Sequence, residues 1–320
     1  MDKKHCFGIL AHGNFEYLET LISSLVKLKG VIIIHIDKRV KKREFKQLSS
    51  KFHTDNNVVF IKNRIRAHRR YFSIIKATNN IIKQSIIYEW DFFHLISGSD
   101  VLVKDVAYFN DFFNEHHRLG FMDLKRFPLN TCTYIWSEPH PSIAQKINAN
   151  FIKNDMLFFD KVPKNNYQNI NTSYDEYTLV NRIHNKLFDY IYTKLQNSLR
   201  FHFLLPIFNL FLKISPQINF ACGSAWFSLN RELVLLLDKG ISNKAYNRKM
   251  KFVKFPSEIY YQTLIINLLT EEEIISKIVC SDLRYVNWNK QTNWRLDFLN
   301  NTDLKNASNK SLAVFARKVC

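Results

Sequence analysis

Cys6-Phe7-Gly8-Ile9-Leu10-Ala11 is an apolar run that stops at His12-Gly13-Asn14. An apolar run of this length bounded by turn residues reads as a buried strand. Working outward, Tyr17, Leu18, Leu21, Ile22 and Leu25 recur at helical spacing. A second, β-branched run from Val31 to Ile36 then ends in Asp37-Lys38. Val58 to Ile61 is a third strand and a helix runs from about Tyr71 to Ile87. Asp91 to Ile96 is a fourth strand, closed by Ser97-Gly98-Ser99-Asp100. Strands alternating with helices predict an α/β fold with a mostly parallel central sheet flanked by helices. Ligands of such sheets sit beyond the carboxyl ends of the strands. Here those ends carry His12, Asp37 and Asp100. Ser-Gly-Ser-Asp is also good turn chemistry, and the turn and a site are compatible.

At 320 residues the chain suffices for one large domain or two small ones, and 46% hydrophobic content makes it globular. The formal net charge of +18 favours anionic partners. Nucleic acid is the obvious one, yet there is no zinc-ligand spacing, no basic zipper region and no aromatic RNA-binding signature. The cations lie in small clusters, Lys38 to Lys46, Arg64 to Arg70 and Arg248 to Lys254, as a solvated surface would have them. Five widely spaced cysteines, Cys6, Cys132, Cys222, Cys280 and Cys320, form no CxxC pair and suit reduced thiols in a cytoplasm. Met1-Asp2-Lys3-Lys4-His5 runs straight into the first strand, so no signal peptide is expected. The most apolar stretch, Phe201 to Ile214, is short of the ~20 residues a membrane span needs and contains Pro206; it reads as a buried or interfacial helix.

Phosphate-loop fingerprints fail. Gly8 and Gly13 lack the Lys-Ser/Thr of a Walker loop, and no GxGxxG follows the first strand. Residues 105–123 give a further helix and strand. From 124 to 218 the pattern loosens around Pro128, Pro139, Pro141, Pro163 and Pro206, as in an insertion that builds the acceptor side of a cleft. Regularity returns at Asn219 to Leu229, with a helix from Asn230. Next comes Phe255-Pro256-Ser257-Glu258-Ile259-Tyr260-Tyr261-Gln262-Thr263, which reads as a helix start with Ser257 as N-cap. Glu258 then falls in the first turn, where the helix dipole keeps a carboxylate ionised. Such an acid is ordinary capping or a general base.

Several blocks together resemble the core-2/I-branching β-1,6-N-acetylglucosaminyltransferase family, which includes the peptide O-xylosyltransferases. They are Ile9-Leu10-Ala11-His12, Ile34-His35-Ile36-Asp37-Lys38, Phe93 to Asp100, Gly223 to Glu232, Pro256 to Thr263, Leu283 to Trp288 and Phe315-Ala316-Arg317-Lys318. The order is the family's and covers nearly the whole chain. The resemblance implies a GT-A-type nucleotide-sugar glycosyltransferase fold over 1–320. Its nucleotide-binding half is 1–123, its inserted acceptor region 124–218, and its catalytic and phosphate-binding half 219–320. It also implies inversion at the anomeric carbon without the metal-binding Asp-x-Asp motif, which this sequence lacks.

On that resemblance Glu258 is the general base. Lys318 matches the family's phosphate lysine, with Arg284 a second cation; Arg317 joins them on charge and position alone. His12 and Asp37 are expected at the uridine, and Asp100 near the donor pyrophosphate or sugar. Gly223, Ser224 and Trp226 are expected beside the acceptor or donor sugar, although core packing explains Trp226 equally well. Two departures stand out. The family's Trp-Gly-type segment before the third helix is here Arg66-Ala67-His68-Arg69-Arg70-Tyr71, which leaves donor identity open. Lys318 lies close to the last residue, so its phosphate role is expected to depend on ordering by donor.

The expectation is a bacterial, cytoplasmic transferase moving N-acetylglucosamine from a UDP-sugar, with no cofactor or metal, in surface polysaccharide or lipooligosaccharide synthesis. Its acceptor is a glycan or lipid-linked glycan, with peripheral contact to an anionic membrane and no nucleic acid partner. Alternatives are a UDP-xylose-type donor, a basic nucleic-acid-binding protein on the same scaffold, and a glycan-binding relative without activity.

Overall fold

The computed structural model describes residues 2–69, 71–126, 221–251, 253, 255–289, 295–296, 298–310 and 312–319. The expected insertion, and Phe201 to Ile214 within it, lies outside the described residues apart from its first three positions.

The opening run becomes β1 (His5–Ala11), followed by α1 (Phe15–Val26), β2 (Val31–Ile36), α2 (Lys42–Lys51), β3 (Val58–Phe60), α3 (Ser73–Ser85) and β4 (Phe92–Ser97). Then come β5 (Val101–Leu102), α4 (Val106–Glu115), β6 (Gly120–Met122) and β7 (Lys125–Arg126). The chain resumes with β8 (Ala221–Cys222), β9 (Phe227–Asn230), α5 (Arg231–Ile241) and α6 (Lys244–Met250). A 3-10 turn at Pro256–Glu258 precedes α7 (Tyr260–Leu268), α8 (Glu271–Lys277), β10 (Ile278–Val279) and β11 (Arg284–Val286). The last elements are β12 (Trp288–Asn289), β13 (Arg295–Leu296), α9 (Asn301–Lys310) and β14 (Phe315–Arg317).

The central sheet has seven strands in the order β10-β6-β9-β4-β1-β2-β3. β1 pairs parallel with β2 and β4, and β2 with β3, as the alternation predicts. β9 runs antiparallel to both β4 and β6, so the sheet is mostly rather than wholly parallel. Because side chains alternate across a strand, β1 feeds two cores. Phe7, Ile9 and Ala11 join Leu18, Leu21, Phe109 and Phe113 of α1 and α4. Cys6 joins Ile81, Ile82, Leu233, Leu237 and Tyr261 of α3, α5 and α7. Both faces of the sheet are thus covered, which is why its strands read as unbroken apolar runs.

Two smaller pairings position the site. β14 lies between β11 and β5, with Val286 opposite Arg317 and Ala316 opposite Val101. β7 pairs antiparallel with β8, Lys125 opposite Cys222, so the chain leaves and re-enters the described part side by side. Among the described residues no helix is long and apolar enough to cross a membrane.

The helix starts correct one expectation. Asn14, Asp105, Asn230 and Thr270 each cap a helix with a side-chain oxygen, as their chemistry favours. Ser257 does not. Glu258 N–H donates to the Phe255 carbonyl (3.0 Å) and Ile259 N–H to that of Pro256 (3.2 Å), closing a tight turn on itself. α7 begins afterwards at Tyr260 with no side-chain cap, so Ser257 sits inside the turn instead of ahead of the helix.

Candidate active site

A cleft of ≈ 400 Å³ opens at the carboxyl ends of β1, β2 and β4, where the sheet argument places a ligand. His12 lines it directly after β1, Asp37 after β2 and Ser97 at the end of β4. Ser224 and Trp226 come from the β8–β9 connection, Glu258 from the 3-10 turn, Arg284 from β11 and Arg317 from β14.

At the β2 end the Asp37 carboxylate is already occupied. Its oxygens accept from Arg39 Nε (2.9 Å), Arg39 Nη2 (2.9 Å), the Arg39 amide (2.8 Å) and the Ala67 amide (3.0 Å). Burial pushes the Asp37 pKa up, but these bonds outweigh it and the net shift is downward. Asp37 therefore stays ionised and fixes both Arg39 and the β3–α3 loop. Beside it His35 is buried, and desolvation lowers its pKa to about 4. The neutral ring accepts the Ile65 amide at Nε2 (2.8 Å), a second tie to the same loop.

The cationic end is built by the small sheet. Pairing of β5, β14 and β11 brings three charges that are remote in sequence into one buried group. Arg284 Nε lies 3.7 Å from Asp100 Oδ2, and Arg317 Nε lies 3.5 Å from Asp100 Oδ1. The Asp100 and Arg284 side chains are wholly buried and Arg317 is 13% exposed. Arg284 also donates to the carbonyls of Asp282 and, at 2.6 Å, Leu95. Burial works against its charge, with Asp100 and Asp282 in opposition. The Arg317 guanidinium stands 4.4 Å from the centre of the Trp226 ring. Trp226 is thus both packing and cleft wall.

The catalytic candidate is positioned by backbone. Gly223 N–H donates to the Glu258 carbonyl (2.9 Å), and Gln262 Nε2 to the Ser224 carbonyl (2.6 Å). Thr263 Oγ1 donates to the Ala221 carbonyl (3.0 Å). On the other side the Ser224 amide donates to Asp123 Oδ2 (3.0 Å). The segments 221–224 and 258–263, distant in sequence, form one platform. From the rim Arg69 Nη2 reaches within 3.6 Å of Glu258 Oε1.

His12, Asp37, Ser224, Trp226, Glu258, Arg284 and Arg317 thus share one cleft. Asp100 lies behind its wall, and Gly223 supports Glu258 through the backbone. Lys318 does not line the cleft. Its Nζ sits 4.7 Å from the centre of the Phe298 ring, while neighbouring Val319 N–H donates to the Ser99 carbonyl (3.0 Å), so its backbone runs beside the Ser97–Asp100 turn. Sequence reasoning passed over Arg39, Asp123, Asp282 and Tyr261. Asp282 and Tyr261 stand inside or beside the quoted blocks, a signal that could have found them. Among the described residues no three His, Cys, Asp or Glu side chains converge to hold a metal ion.

A mixed sheet flanked by helices, with this cleft at its strand ends, is a GT-A-like glycosyltransferase fold. A family model described as Core-2/I-Branching enzyme matches residues 6–307, and the chain belongs to that family. It is a glycosyltransferase, and as such takes a nucleotide-sugar donor and a glycan acceptor. A search of curated proteins gives no significant match.

Proposed function

We propose that the protein transfers a sugar, N-acetylglucosamine, from its UDP-linked form to a glycan hydroxyl with inversion and without a metal ion. The observation that carries this is one cleft holding both a platform-mounted carboxylate, Glu258, and guanidiniums, Arg284 and Arg317. In the proposed step Glu258 takes the proton of the acceptor hydroxyl as that oxygen bonds to the anomeric carbon. The bond from that carbon to the diphosphate breaks, and its electron pair leaves with UDP. Charge building on the diphosphate falls to Arg317 and Arg284, with Lys318 brought in when donor is bound. His12 and the Asp37–Arg39 pair face the uridine, and Ser224 and Trp226 the sugars. Asp100 keeps the two guanidiniums together from behind.

The test is hydrolysis and binding of UDP-N-acetylglucosamine and UDP-xylose by purified protein in EDTA. The proposal predicts saturable binding and slow hydrolysis of UDP-N-acetylglucosamine in EDTA, exceeding those of UDP-xylose. Absence of UDP-sugar binding, or activity only on adding a divalent cation, contradicts it. The net charge of +18 further suits a lipid-linked acceptor at an anionic membrane face; indifference to anionic liposomes at low salt contradicts that part.

A further inference from the structure

The rim of the cleft carries a cation that the chemistry of a general base does not call for. Arg69 stands 3.6 Å from Glu258 Oε1, where a guanidinium competes with an incoming hydroxyl for that oxygen. Its guanidinium also lies 5.7 Å from the centre of the Phe255 ring. The loop that presents it is held independently of this ion pair. Ala67 N–H donates to Asp37 Oδ2 (3.0 Å), the Ala67 carbonyl accepts from Arg39 Nη2 (2.8 Å), and His68 N–H donates to Ser73 Oγ (3.0 Å). Arg69 is therefore delivered to the mouth of the cleft by the fold, whether or not Glu258 is there to meet it.

The other cleft guanidiniums are more deeply committed. Arg39 is bidentate on Asp37, and Arg284 and Arg317 share buried Asp100. Arg69 is the most exposed of these side chains, at 66% against 47% for Arg39, 13% for Arg317 and 0% for Arg284. Its exposed guanidinium is free to swing, so its partner is readily exchanged. A guanidinium offers a fork that grips carboxylate or phosphate oxygens in pairs.

We infer that Arg69 reads the acceptor, and that the acceptor carries an anionic group, a carboxylate or a phosphate, beside the hydroxyl to be glycosylated. This rests on the reading of Glu258 as the base, because that reading puts the acceptor at Arg69. The incoming anion takes the guanidinium from Glu258. Glu258 then accepts the hydroxyl proton while the acceptor oxygen bonds to the anomeric carbon and UDP departs with the electron pair. A neutral acceptor leaves Arg69 on Glu258.

The test is ligand-observed NMR titration, with UDP present, of methyl β-D-glucuronide and methyl β-D-glucoside 6-phosphate, each against neutral methyl β-D-glucoside. Wild type, Arg69→Ala and Arg69→Lys are compared. An anionic probe should outbind its neutral twin by roughly tenfold in wild type, the worth of one charge-assisted hydrogen bond. That preference should fall to about twofold in Arg69→Ala and be partly kept in Arg69→Lys, which retains the charge and loses the fork. The probe with the larger preference tells carboxylate from phosphate. If neither anion outbinds the glucoside in UDP-bound wild type, or the preference survives Arg69→Ala, the inference falls while the transferase reading stands. Failure of wild type to bind UDP would instead remove the transferase reading, and this inference with it.

Discussion

Asp100 is the residue that holds the cationic end of the cleft together. Its carboxylate is wholly buried between two guanidiniums, and its backbone carbonyl accepts the Tyr17 hydroxyl (2.9 Å), which ties α1 to the same corner. Removing one member of a buried charge group strands the others, at a cost of about 3–5 kcal/mol. Asp100→Ala is accordingly expected to lose stability of that order in urea unfolding. A loss within experimental error of zero would mean that the guanidiniums are solvated and the group is not the buried unit described. Asp100, Arg284 and Arg317 could each be read from sequence as a charge at the edge of an apolar run. Their mutual pairing could not, because it depends on β14 inserting between β5 and β11, a register that no local pattern encodes. The opposite holds for Asp37. It was legible as a strand-end carboxylate, but its oxygens are taken by Arg39 and the Ala67 amide, so its place in the cleft is as an anchor for Arg39.

Among the elements, the platform under Glu258 leaves no room for a side chain at Gly223. At Gly223 a side chain would overlap the Asp123 carbonyl oxygen and come within 2.6 Å of its carbon, both backbone atoms that cannot step aside. Gly223→Ala should therefore push the 221–224 segment off Asp123 and loosen the Gly223–Glu258 hydrogen bond. A loss of roughly 1–3 kcal/mol is expected, the usual range for overpacking, with transfer reduced more than UDP binding. Equal loss of both would show that the platform serves the donor as much as the base. The sequence marked Pro256 to Thr263 as a helix entry with Glu258 as the base, but it gave Ser257 an N-cap role that the 3-10 turn does not use. A 3-10 turn opened by Pro256 leads into α7 without a side-chain cap, and Gly223 holds the backbone of Glu258. The strands and helices of the sheet, by contrast, followed their apolar periodicity to within a few residues, since burial on both faces leaves little else for such runs to do.

At the scale of the whole molecule the core is titratable. His5 Nδ1 meets His94 Nε2 at 3.0 Å, and His94 Nδ1 meets Ser228 Oγ at 2.9 Å, inside a cage that includes Phe7, Phe92, Phe109 and Phe113. Burial lowers the pKa of His5 to about 4 from 6.5, lowers that of His35 to about 4 as well, and holds His94 well below its usual value. Between pH 6.5 and 4 the unfolded chain thus binds protons that the native state refuses, so stability falls as pH falls through that window. His5 and His35 contribute up to roughly 3 kcal/mol each, as their shifts imply. Denaturation midpoints at pH 7.5, 6 and 5 should drop steadily; equal midpoints would mean that these rings protonate inside the fold. The α/β class and the family were legible from ordered blocks spread along the whole chain. The buried histidine pair was not, because His5 and His94 join only through the parallel register of β1 and β4.

Glu258→Gln keeps the shape of the side chain and removes its ability to take a proton. Purified wild type and variant would be compared for UDP-N-acetylglucosamine binding and for turnover, both in EDTA. Binding is expected within about threefold of wild type, with turnover reduced by at least ~10²-fold, the scale of general-base catalysis. A variant that binds and turns over like wild type would contradict Glu258 as the base, and with it the catalytic assignment of the cleft.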